Sequence, residues 1–317
     1  MSTKEKVVCV KDITHDEWLA LRRTGIGGSD AATVVGLNPY SSPYYLFCDK
    51  RGELAEKEDT EAMRQGRDLE QYVADRWMER TGKKCKRNNY MWRSTKWPFM
   101  LADIDREVVG ENAGLECKTT SVYNKNDFEN GNIQDSYYVQ CQHYMAVMGY
   151  DRMYLAVLVL NKGFYTYIIE RDEEDISHLA QAEGDFWDAL QSGQAPDFVG
   201  ADADFTALSQ KYPEGTESLC VTLDAARDTE AAQLLRLSAM IADLQEQCSA
   251  IKADLMDYMG DAAFAQGANC AFSWKTQTRN RLDTKRLKAE HPDLYKAYCQ
   301  SSKIRVFKMK KIKEETA

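Results

Sequence analysis

The sequence lacks any apolar run long enough to cross a membrane, since a spanning helix needs about 18 or more consecutive apolar residues. Its first segment, Met1 to Val10, also lacks the apolar stretch and the cleavage site of a secretory signal peptide. These two absences predict a cytoplasmic protein that contacts no membrane.

The nine cysteines lack the spacing of a metal site or of a disulfide framework. Their number is odd, they are scattered along the chain, and no two of them form a C-x-x-C pair. This pattern argues against a zinc or iron–sulfur centre and against a disulfide-rich secreted domain. Free thiols in a reducing compartment are the simplest interpretation.

The chain also lacks the excess of positive charge that is common in nucleic-acid-binding proteins, because its net charge is −9. The charge is uneven: the segment from Trp274 to Ala317 carries 13 Lys and Arg against 5 Asp and Glu, a net of +8, so the rest of the chain carries −17. A basic C-terminal segment is typical of contact with phosphate. A solvated basic face on an acidic protein is the alternative.

Periodicity predicts a mixed α/β core. The length of 317 residues and the apolar content of 44% allow one large or two modest domains. A capping box at Thr14 and Glu17 begins a first helix, and the Gly27-Gly28 turn opens a second with Ser29 or Asp30 as its cap. The later predicted elements are helices over 44–50, 61–81, 134–149 and 172–192, and strands over 89–94, 98–109, 113–120, 152–160 and 164–171.

After a linker-like break at 192–198, the pattern changes to a long helix over 225–259. Its apolar positions repeat at alternating steps of three and four residues, which is a heptad seam. The seam can pair with another chain or pack against the chain's own helices, and we expect the second arrangement. The tail over 261–313 is predicted to form short strands and a helix near 284–299.

The spacing of Asp105, Glu116 and Lys118 indicates a candidate catalytic site. Two strand-like flanks around the turn from Gly110 to Gly114 predict a hairpin, which brings the three side chains together. Strand alternation places Glu116 and Lys118 on one face. Mg²⁺ takes oxygen ligands, often one or two carboxylates with water and phosphate. The pattern is typical of metal-dependent phosphodiester hydrolysis, although an exposed hairpin with solvated charges would share it.

Four sequence motifs that occur in a fixed order are a more specific signal than any one of them alone. They are Trp18-Leu-Ala-Leu-Arg-Arg-Thr-Gly-Ile-Gly-Gly-Ser-Asp30, Gly66-x-x-x-Glu70, Asp105 with Glu116-Cys-Lys118, and Tyr137-Tyr-Val-Gln-Cys-Gln-His-Tyr144. Over about residues 10–195 the chain resembles the phage-type exonucleases, the YqaJ-like viral recombinases related to lambda exonuclease. The resemblance implies a PD-(D/E)xK, restriction-endonuclease-like α/β (α+β) fold, a mixed central sheet flanked by helices. Residues 196–317 form a helical and β extension outside it.

The same resemblance implies an activity and partners. Family members degrade one strand of linear duplex DNA from its 5′ end with Mg²⁺ or Mn²⁺, and they work with a single-strand annealing protein in phage recombination. Relatives form rings of three subunits. The expectation is therefore a DNA exonuclease of phage or prophage origin in a bacterial cytoplasm. A structure-selective endonuclease on the same core, or a DNA-binding recombination partner without activity, are the alternatives.

Roles follow from the resemblance residue by residue. The expected catalytic residues are Asp105, Glu116, Lys118, Gln140 and Glu70. The expected metal ligands are Asp105, Glu116, the carbonyl of Cys117, and Glu70 for a second metal. The expected DNA or 5′-phosphate contacts are Arg22, Ser29 and Tyr137.

Several positions have alternatives or depart from the family. Asp103 competes with Asp105, and Arg23 competes with Arg22. Ser29 is alternatively a helix cap only. Gln142 and His143 are expected to be ordinary helix-surface residues, His143 with a structural role. Two departures stand beside the motif: Arg106 replaces a glycine that is common in relatives, and Cys117 replaces an isoleucine or valine.

Overall fold

The computed structural model describes residues 3–56, 59–121, 128, 131–301 and 304–310 and divides into two compact units, Met1–Tyr212 and Pro213–Ala317. The first unit extends beyond the predicted boundaries of 10–195 at both ends. A strand precedes residue 10, and a helix that packs on the unit follows residue 195. Parts of the predicted basic tail, residues 302–303 and 311–317, lie outside the described residues.

The first unit contains seven of the described helices and eight of the described strands. The helices are α1 (His15–Arg22), α2 (Gly28–Val34), α3 (Pro43–Lys50), α4 (Glu61–Thr81), α5 (Asp135–Met148), α6 (Glu173–Ser192) and α7 (Asp202–Lys211). The strands are β1 (Lys4–Cys9), β2 (Cys85–Arg87), β3 (Tyr90–Ser94), β4 (Leu101–Ala102), β5 (Arg106–Val108), β6 (Ala113–Thr120), β7 (Arg152–Val159) and β8 (Gly163–Glu170).

The central sheet has five strands in the order β2-β5-β6-β7-β8. β6 and β7 are parallel with Glu116 opposite Leu155, whereas the other three pairs are antiparallel. The parallel pair needs a crossover, and α5 lies between β6 and β7 in the chain, as parallel strands require. The predicted mixed α/β core is confirmed.

Helices cover both faces of this sheet. On one face Trp77 of α4 packs with Leu115 of β6 and Tyr154 of β7. On the other face α5 packs on the alternate residues of β7, which include Leu155 and Val157. Burial of β7 on both sides explains its continuous apolar sequence.

The predicted strand over 98–109 is wrong, because the chain breaks it at Asp103. β4 ends at Ala102 and pairs with β3 in a separate sheet of order β1-β3-β4. β5 begins at Arg106 and pairs with β6 in the central sheet. Residues 103–105 therefore cross from one sheet to the other. This segment contains no glycine or proline, so the sequence gives no sign of the break.

The start of the unit follows the predicted capping box but corrects the cap of α2. The Thr14 hydroxyl accepts from the amide of Glu17, and Glu17 accepts from the Thr14 amide. For α2 the cap is Gly27, and neither Ser29 nor Asp30 occupies that position. Asp30 instead sits at the third helical position, where its Oδ2 accepts from the Gly27 amide at 3.0 Å. This is the reverse half of a capping box.

The second unit contains α8 (Ala225–Met259), β9 (Phe264–Gln266), β10 (Ala271–Ser273), α9 (Thr284–Glu290) and α10 (Pro292–Tyr298). The long helix and the short strands are confirmed. The single predicted helix near 284–299 is wrong, because Pro292 ends one helix and occupies the first turn of the next. No described helix is long and apolar enough to span a membrane.

The heptad seam of α8 stays exposed within this unit. The helix has no buried residue, and its seam side chains Leu237, Ile241 and Leu244 remain 46%, 55% and 57% exposed. The described helices of this unit do not cover the seam, and the expectation that the chain's own helices pack on it stays a prediction.

Candidate active site

A cleft of about 740 Å³ opens in the first unit between the α1–α2 turn, α4, the segment joining β4 to β5, β6 and α5. Most of the predicted site residues line it: Arg22, Ser29, Glu70, Asp103, Asp105, Glu116, Cys117, Lys118 and Gln140. The four sequence motifs, which are far apart in the chain, therefore meet in one cleft. Tyr137 contacts the site through Lys118, whose Nζ lies 5.2 Å from the centre of the tyrosine ring.

Strand alternation in β6 sorts the Glu116-Cys117-Lys118 triplet between the two faces of the sheet. Leu115 and Cys117 face α4 and pack with its apolar cluster. Glu116 and Lys118 face α5, and Lys118 Nζ lies 2.7 Å from Glu116 Oε1. The predicted shared face of the glutamate and the lysine is confirmed. A thiol fits at Cys117 because its side chain turns towards the apolar face.

Asp105 joins the pair from the β4–β5 connection. Its Oδ2 accepts from the backbone N–H of Cys117 at 2.8 Å. The hairpin register accounts for this approach, since Arg106 pairs with Leu115 and the preceding residue then lies beside the middle of β6. The carboxylate of Asp105 therefore lies next to Glu116, as the hairpin prediction required.

Gln140 on α5 fixes the pair from above the sheet. Its Oε1 accepts from Lys118 Nζ at 2.8 Å, and its Nε2 donates to Glu116 Oε1 at 2.7 Å and to the Tyr144 hydroxyl at 3.1 Å. The Tyr144 hydroxyl in turn donates to the carbonyl of Asp103 at 3.1 Å. Each amide atom of Gln140 thus has a defined partner, which holds the lysine and the glutamate in one geometry.

The electrostatics of this cluster are dominated by burial and by neighbouring negative charge. Burial raises the pKa of Asp105 well above its usual range, and the charges of Glu116 and Glu70 raise it further. Burial also raises the pKa of Glu116, against the opposing effect of Lys118. For Lys118 burial lowers the pKa, but Glu116 and Asp105 outweigh burial and raise it. Lys118 is therefore held as an ammonium group.

The donor set fits a divalent cation. Glu116 is 4% exposed, and its Oε2 has no hydrogen-bond partner among the described residues. A buried carboxylate oxygen without a donor normally costs free energy, and a cation between Glu116 and Asp105 would satisfy it. The described residues contain no group of three or more His, Cys, Asp and Glu side chains arranged to hold a metal. The two carboxylates match the usual Mg²⁺ requirement of one or two carboxylates plus water and phosphate.

Glu70 also lines the cleft, but its nearest partners are cations of the chain itself. Its Oε1 forms an ion pair with Arg106 and lies 3.7 Å from Nη2 of Arg87. Arg106 is 2% exposed and also donates to the carbonyl of Asp105 at 2.8 Å. The structure therefore places an arginine beside the carboxylate that was predicted to hold a second metal.

A second ionic cluster lies where α1 meets α2. Arg22 Nη2 donates to Ser29 Oγ at 2.8 Å and to Asp30 Oδ1 at 3.2 Å. Lys50 Nζ donates to Asp30 Oδ2 at 2.6 Å and to the Arg22 carbonyl at 2.7 Å. The guanidinium also lies over the Trp18 ring, 4.8 Å from its centre. Arg22 is held on three sides and lines the cleft.

Asp30 supplies the negative charge of this second cluster, between the two cations Lys50 and Arg22. Burial alone raises its pKa, but the charges of Lys50 and Arg22 with their hydrogen bonds outweigh burial and lower the pKa to about 2. The close packing extends to Gly28, because a Cβ there would lie 2.5 Å from the Tyr144 ring. The Gly-rich turn is therefore needed to bring the Arg22 cluster beside Gln140.

The structure also locates Asp103 and Arg23, the alternative candidates to Asp105 and Arg22. Asp103 lines the cleft, where its Oδ2 accepts from the Trp18 indole at 2.9 Å. Arg23 faces Asp49, with Nη2 4.0 Å from Oδ1, whereas Arg22 lines the cleft.

Gln142 and His143 are not on the helix surface, which corrects that expectation. Gln142 is 1% exposed and bonds the backbone of Glu170 and Asp172. His143 lies 2.8 Å from Glu183 and 2.8 Å from the Leu101 carbonyl.

Comparisons with known proteins agree with the motifs. Residues 17–151 match the model of the YqaJ-like viral recombinase domain. Over 98% of this chain and 100% of the relative, the sequence is 38% identical to the uncharacterized protein YqaJ of Bacillus subtilis. The chain belongs to the YqaJ-like viral recombinase family. A shorter stretch of 35 residues is 57% identical to protein D345L of African swine fever virus, 11% of this chain and 10% of that protein.

Solved structures of exonucleases are similar to part of this YqaJ-like chain. The alkaline exonuclease LHK-Exo of Laribacter hongkongensis matches 56% of this chain and 94% of its own, with 21% identity and a TM-score of 0.48. A phage-related exonuclease from Haemophilus somnus 129PT matches 56% and 100%, with 15% identity and a TM-score of 0.42.

Sequence reasoning missed two contributors to the cleft of this YqaJ-like protein. Lys50 has no distinguishing sequence context, and only its 2% exposed side chain on α3 reveals its contact with Asp30. Tyr144 closes the hydrogen-bond chain from Gln140 to Asp103. Its spacing of four residues from Gln140 is the signal that could have identified it, since residues four apart share a helix face.

Proposed function

We propose that the protein is a Mg²⁺-dependent deoxyribonuclease that hydrolyses phosphodiester bonds of linear duplex DNA, as an exonuclease working 5′→3′. The observation that carries the proposal is the convergence of Asp105, Glu116 and Lys118 under Gln140 in one cleft. A buried and a half-buried carboxylate beside an ammonium group match the needs of metal-dependent phosphodiester hydrolysis. Mn²⁺ has the same ligand preference and is expected to substitute.

In the proposed mechanism Asp105 and Glu116 hold the metal, with the carbonyl of Cys117 as a further ligand. Bound Mg²⁺ supplies Lewis-acid chemistry and lowers the pKa of water. Lys118 is an ammonium group 2.7 Å from Glu116, so it donates hydrogen bonds that orient the attacking water and stabilise developing negative charge. Gln140 fixes the Lys118 amine and the Glu116 carboxylate, so neither has to reorganise during the reaction.

The 5′→3′ direction rests on the Arg22 cluster. Arg22 and Ser29 line the same cleft as the carboxylates, at the start of α2 where backbone amides attract anions. A guanidinium carries five N–H donors, and the Ser29 and Asp30 contacts leave several of them for a phosphate. Holding the 5′-phosphate there would present the adjacent phosphodiester to the Asp105 cluster. Tyr137 supports this arrangement through its contact with Lys118.

The proposed partners are inferred from the uneven charge of the chain and from the exposed seam of α8 in the second unit. An acidic chain with one basic segment favours enclosing DNA over binding it on a flat surface. The exposed α8 seam is proposed to pair with α8 of a second copy. Beside the seam, Ser238, Gln245 and Gln247 are uncharged, and Lys252 and Asp254 carry opposite charges, so repulsion between like charges does not dominate. A single-strand annealing protein is the proposed recombination partner, in a host cell that carries the phage or prophage.

The test is digestion of one duplex in three forms: linear with 5′-phosphates, linear with 5′-hydroxyls, and covalently closed circular. The proposal predicts Mg²⁺-dependent release of nucleotides from linear DNA, faster with 5′-phosphates, and survival of the closed circle. Cleavage of the circle at a comparable rate would establish an endonuclease instead. No cleavage of any form with Mg²⁺ or Mn²⁺ would contradict the proposal.

A further inference from the structure

Arg106 lies under the cleft and is bonded on several sides. Its side chain is 3% exposed, and it pairs with Glu70 through Nη1. Nη1 also donates to the Asp105 carbonyl at 2.8 Å, and Nη2 donates to Gln71 Oε1 at 3.1 Å. The guanidinium therefore ties α4, through Glu70 and Gln71, to the backbone that presents Asp105.

The Glu70 carboxylate is already neutralised by this contact. An arginine cannot be deprotonated in a protein, so the charge of Arg106 is permanent. A metal ion at Glu70 would have to move the buried guanidinium or share an oxygen with it, and a buried cation deprived of its partner is strongly unfavourable. Glu70 is thus a poor position for a second metal ion.

The neighbouring pair of carboxylates presents the opposite situation. Glu116 Oε2 is buried with no hydrogen-bond partner, and Asp105 experiences the negative charges of both Glu116 and Glu70. Among the described residues no three carboxylates come together as one metal-binding group, so Glu70 stands apart from Asp105 and Glu116. The cleft therefore holds two carboxylates, Asp105 and Glu116, that share the single ammonium group of Lys118, and a third, Glu70, that already pairs with Arg106.

We propose that Arg106 takes the place of a second metal ion, so that the site binds a single divalent cation at Asp105 and Glu116. The inference rests on the proposed function. Arg106 is a positioning residue: it neutralises Glu70, supports the Asp105 backbone, and supplies the second positive charge of the centre.

The test counts bound Mn²⁺ per chain by electron paramagnetic resonance and calorimetry. The full-length Lys118→Ala variant is used, free and bound to a 5′-phosphorylated duplex, so that the DNA is not consumed. The expected count is one in both states, and Glu70→Gln in the same background also binds one. A count of two, or the loss of an ion on Glu70→Gln, would overturn the inference and leave the proposed function standing. A count of zero in both states would overturn both.

Substitution of the arginine sharpens the test. Arg106→Gly frees Glu70, so the expected count rises to two and returns to one in the Arg106→Gly/Glu70→Gln double variant. Arg87→Ala is the matched control, because Arg87 lies 3.7 Å from the same carboxylate but is 60% exposed, and its count stays at one. A count that remains at one in folded Arg106→Gly would overturn the role of the guanidinium. If Arg106→Gly does not fold, the Glu70→Gln comparison decides alone.

Discussion

Two buried ionic clusters in the same cleft shift the pKa values of their carboxyl groups in opposite directions. In the first, Asp105 and Glu116 share one ammonium group, and burial together with their mutual repulsion raises the pKa of Asp105. In the second, Asp30 has two cations, Lys50 and Arg22, which hold its pKa at about 2 despite burial. Burial raises the pKa of both carboxyl groups, so the balance of neighbouring charge decides the direction of each net shift.

The difference also appears in the hydrogen bonds. Both carboxylate oxygens of Asp30 have partners, whereas Glu116 Oε2 has none. The Asp30 cluster is complete in itself and presents surplus positive charge to the cleft. The Glu116 cluster is incomplete and presents surplus negative charge. The first arrangement suits an anion and the second suits a cation, and residues of both clusters line one cleft.

The largest expected effect comes from removing the only side-chain cation that contacts Glu116 in the described site. Lys118→Ala should lower the rate of duplex hydrolysis by about 10²–10³-fold, the usual effect of deleting one donor that stabilises transition-state charge. The measurement is nucleotide release from linear duplex under saturating Mg²⁺. Lys84→Ala, an exposed lysine beside β2, is the control and should retain activity. Near-normal hydrolysis by Lys118→Ala would remove this cluster from the chemistry.

The second-largest expected effect concerns the Arg22 cluster, which is proposed to bind the 5′-phosphate. Arg22→Ala should lower the rate on 5′-phosphorylated ends by about 10- to 100-fold, as expected for a charge-assisted hydrogen bond. The rate on 5′-hydroxyl ends should change little. Arg23→Ala is a matched control, since Arg23 faces Asp49 instead. Equal losses on both kinds of end would assign Arg22 a structural role only.

The third effect is a loss of stability in acid that depends on Asp30. Its pKa is about 2 in the folded chain against a usual value of 3.8, so the unfolded chain binds the proton first as the pH falls. The stabilisation is complete above pH 4 and is lost between about pH 4 and 2, and it amounts to roughly 2 kcal/mol. Urea unfolding at pH 5, 4, 3 and 2 measures it.

Asp30→Asn provides the comparison for that measurement. The variant should be less stable at pH 5, because Lys50 loses its charged partner, and its stability should fall less steeply below pH 4. Parallel pH profiles for the two proteins would show that Asp30 does not carry the depressed pKa.

The smallest expected effect concerns the basic tail, whose charges are exposed instead of buried. Combined substitution of Arg279, Arg281 and Lys285 by alanine should weaken duplex binding and reduce the salt slope by roughly one unit per lost phosphate contact. Lys252→Ala on α8 is the control. An unchanged slope would exclude direct contact between these side chains and DNA.

Much of the secondary structure was predictable from the sequence, because the positions of helices and strands depend on local periodicity. The bounds of α4 and β6 agree with the predicted 61–81 and 113–120. Strand alternation alone predicts that Glu116 and Lys118 share one face of β6. The roles of the site residues remain predictions, but their meeting in one cleft follows from the order of the motifs.

The features that were missed depend on contacts between distant segments. The break between β4 and β5 has no turn residue, since the chain changes sheets there to satisfy pairing with β3 on one side and β6 on the other. Lys50 and Arg106 look like ordinary charged residues, and only their burial against Asp30 and Glu70 distinguishes them. The exposed α8 seam could not be predicted either, because a heptad pattern does not name its partner.

The most direct measurement is Mg²⁺-dependent nucleotide release from a linear 5′-phosphorylated duplex, comparing the natural chain with Glu116→Gln. The substitution keeps the shape of the side chain and its contact with Gln140 but removes the charge that would hold the metal. The account predicts release by the natural chain that EDTA abolishes, and a loss of about 10²-fold or more in folded Glu116→Gln. Release that persists in folded Glu116→Gln, or in EDTA, would contradict it.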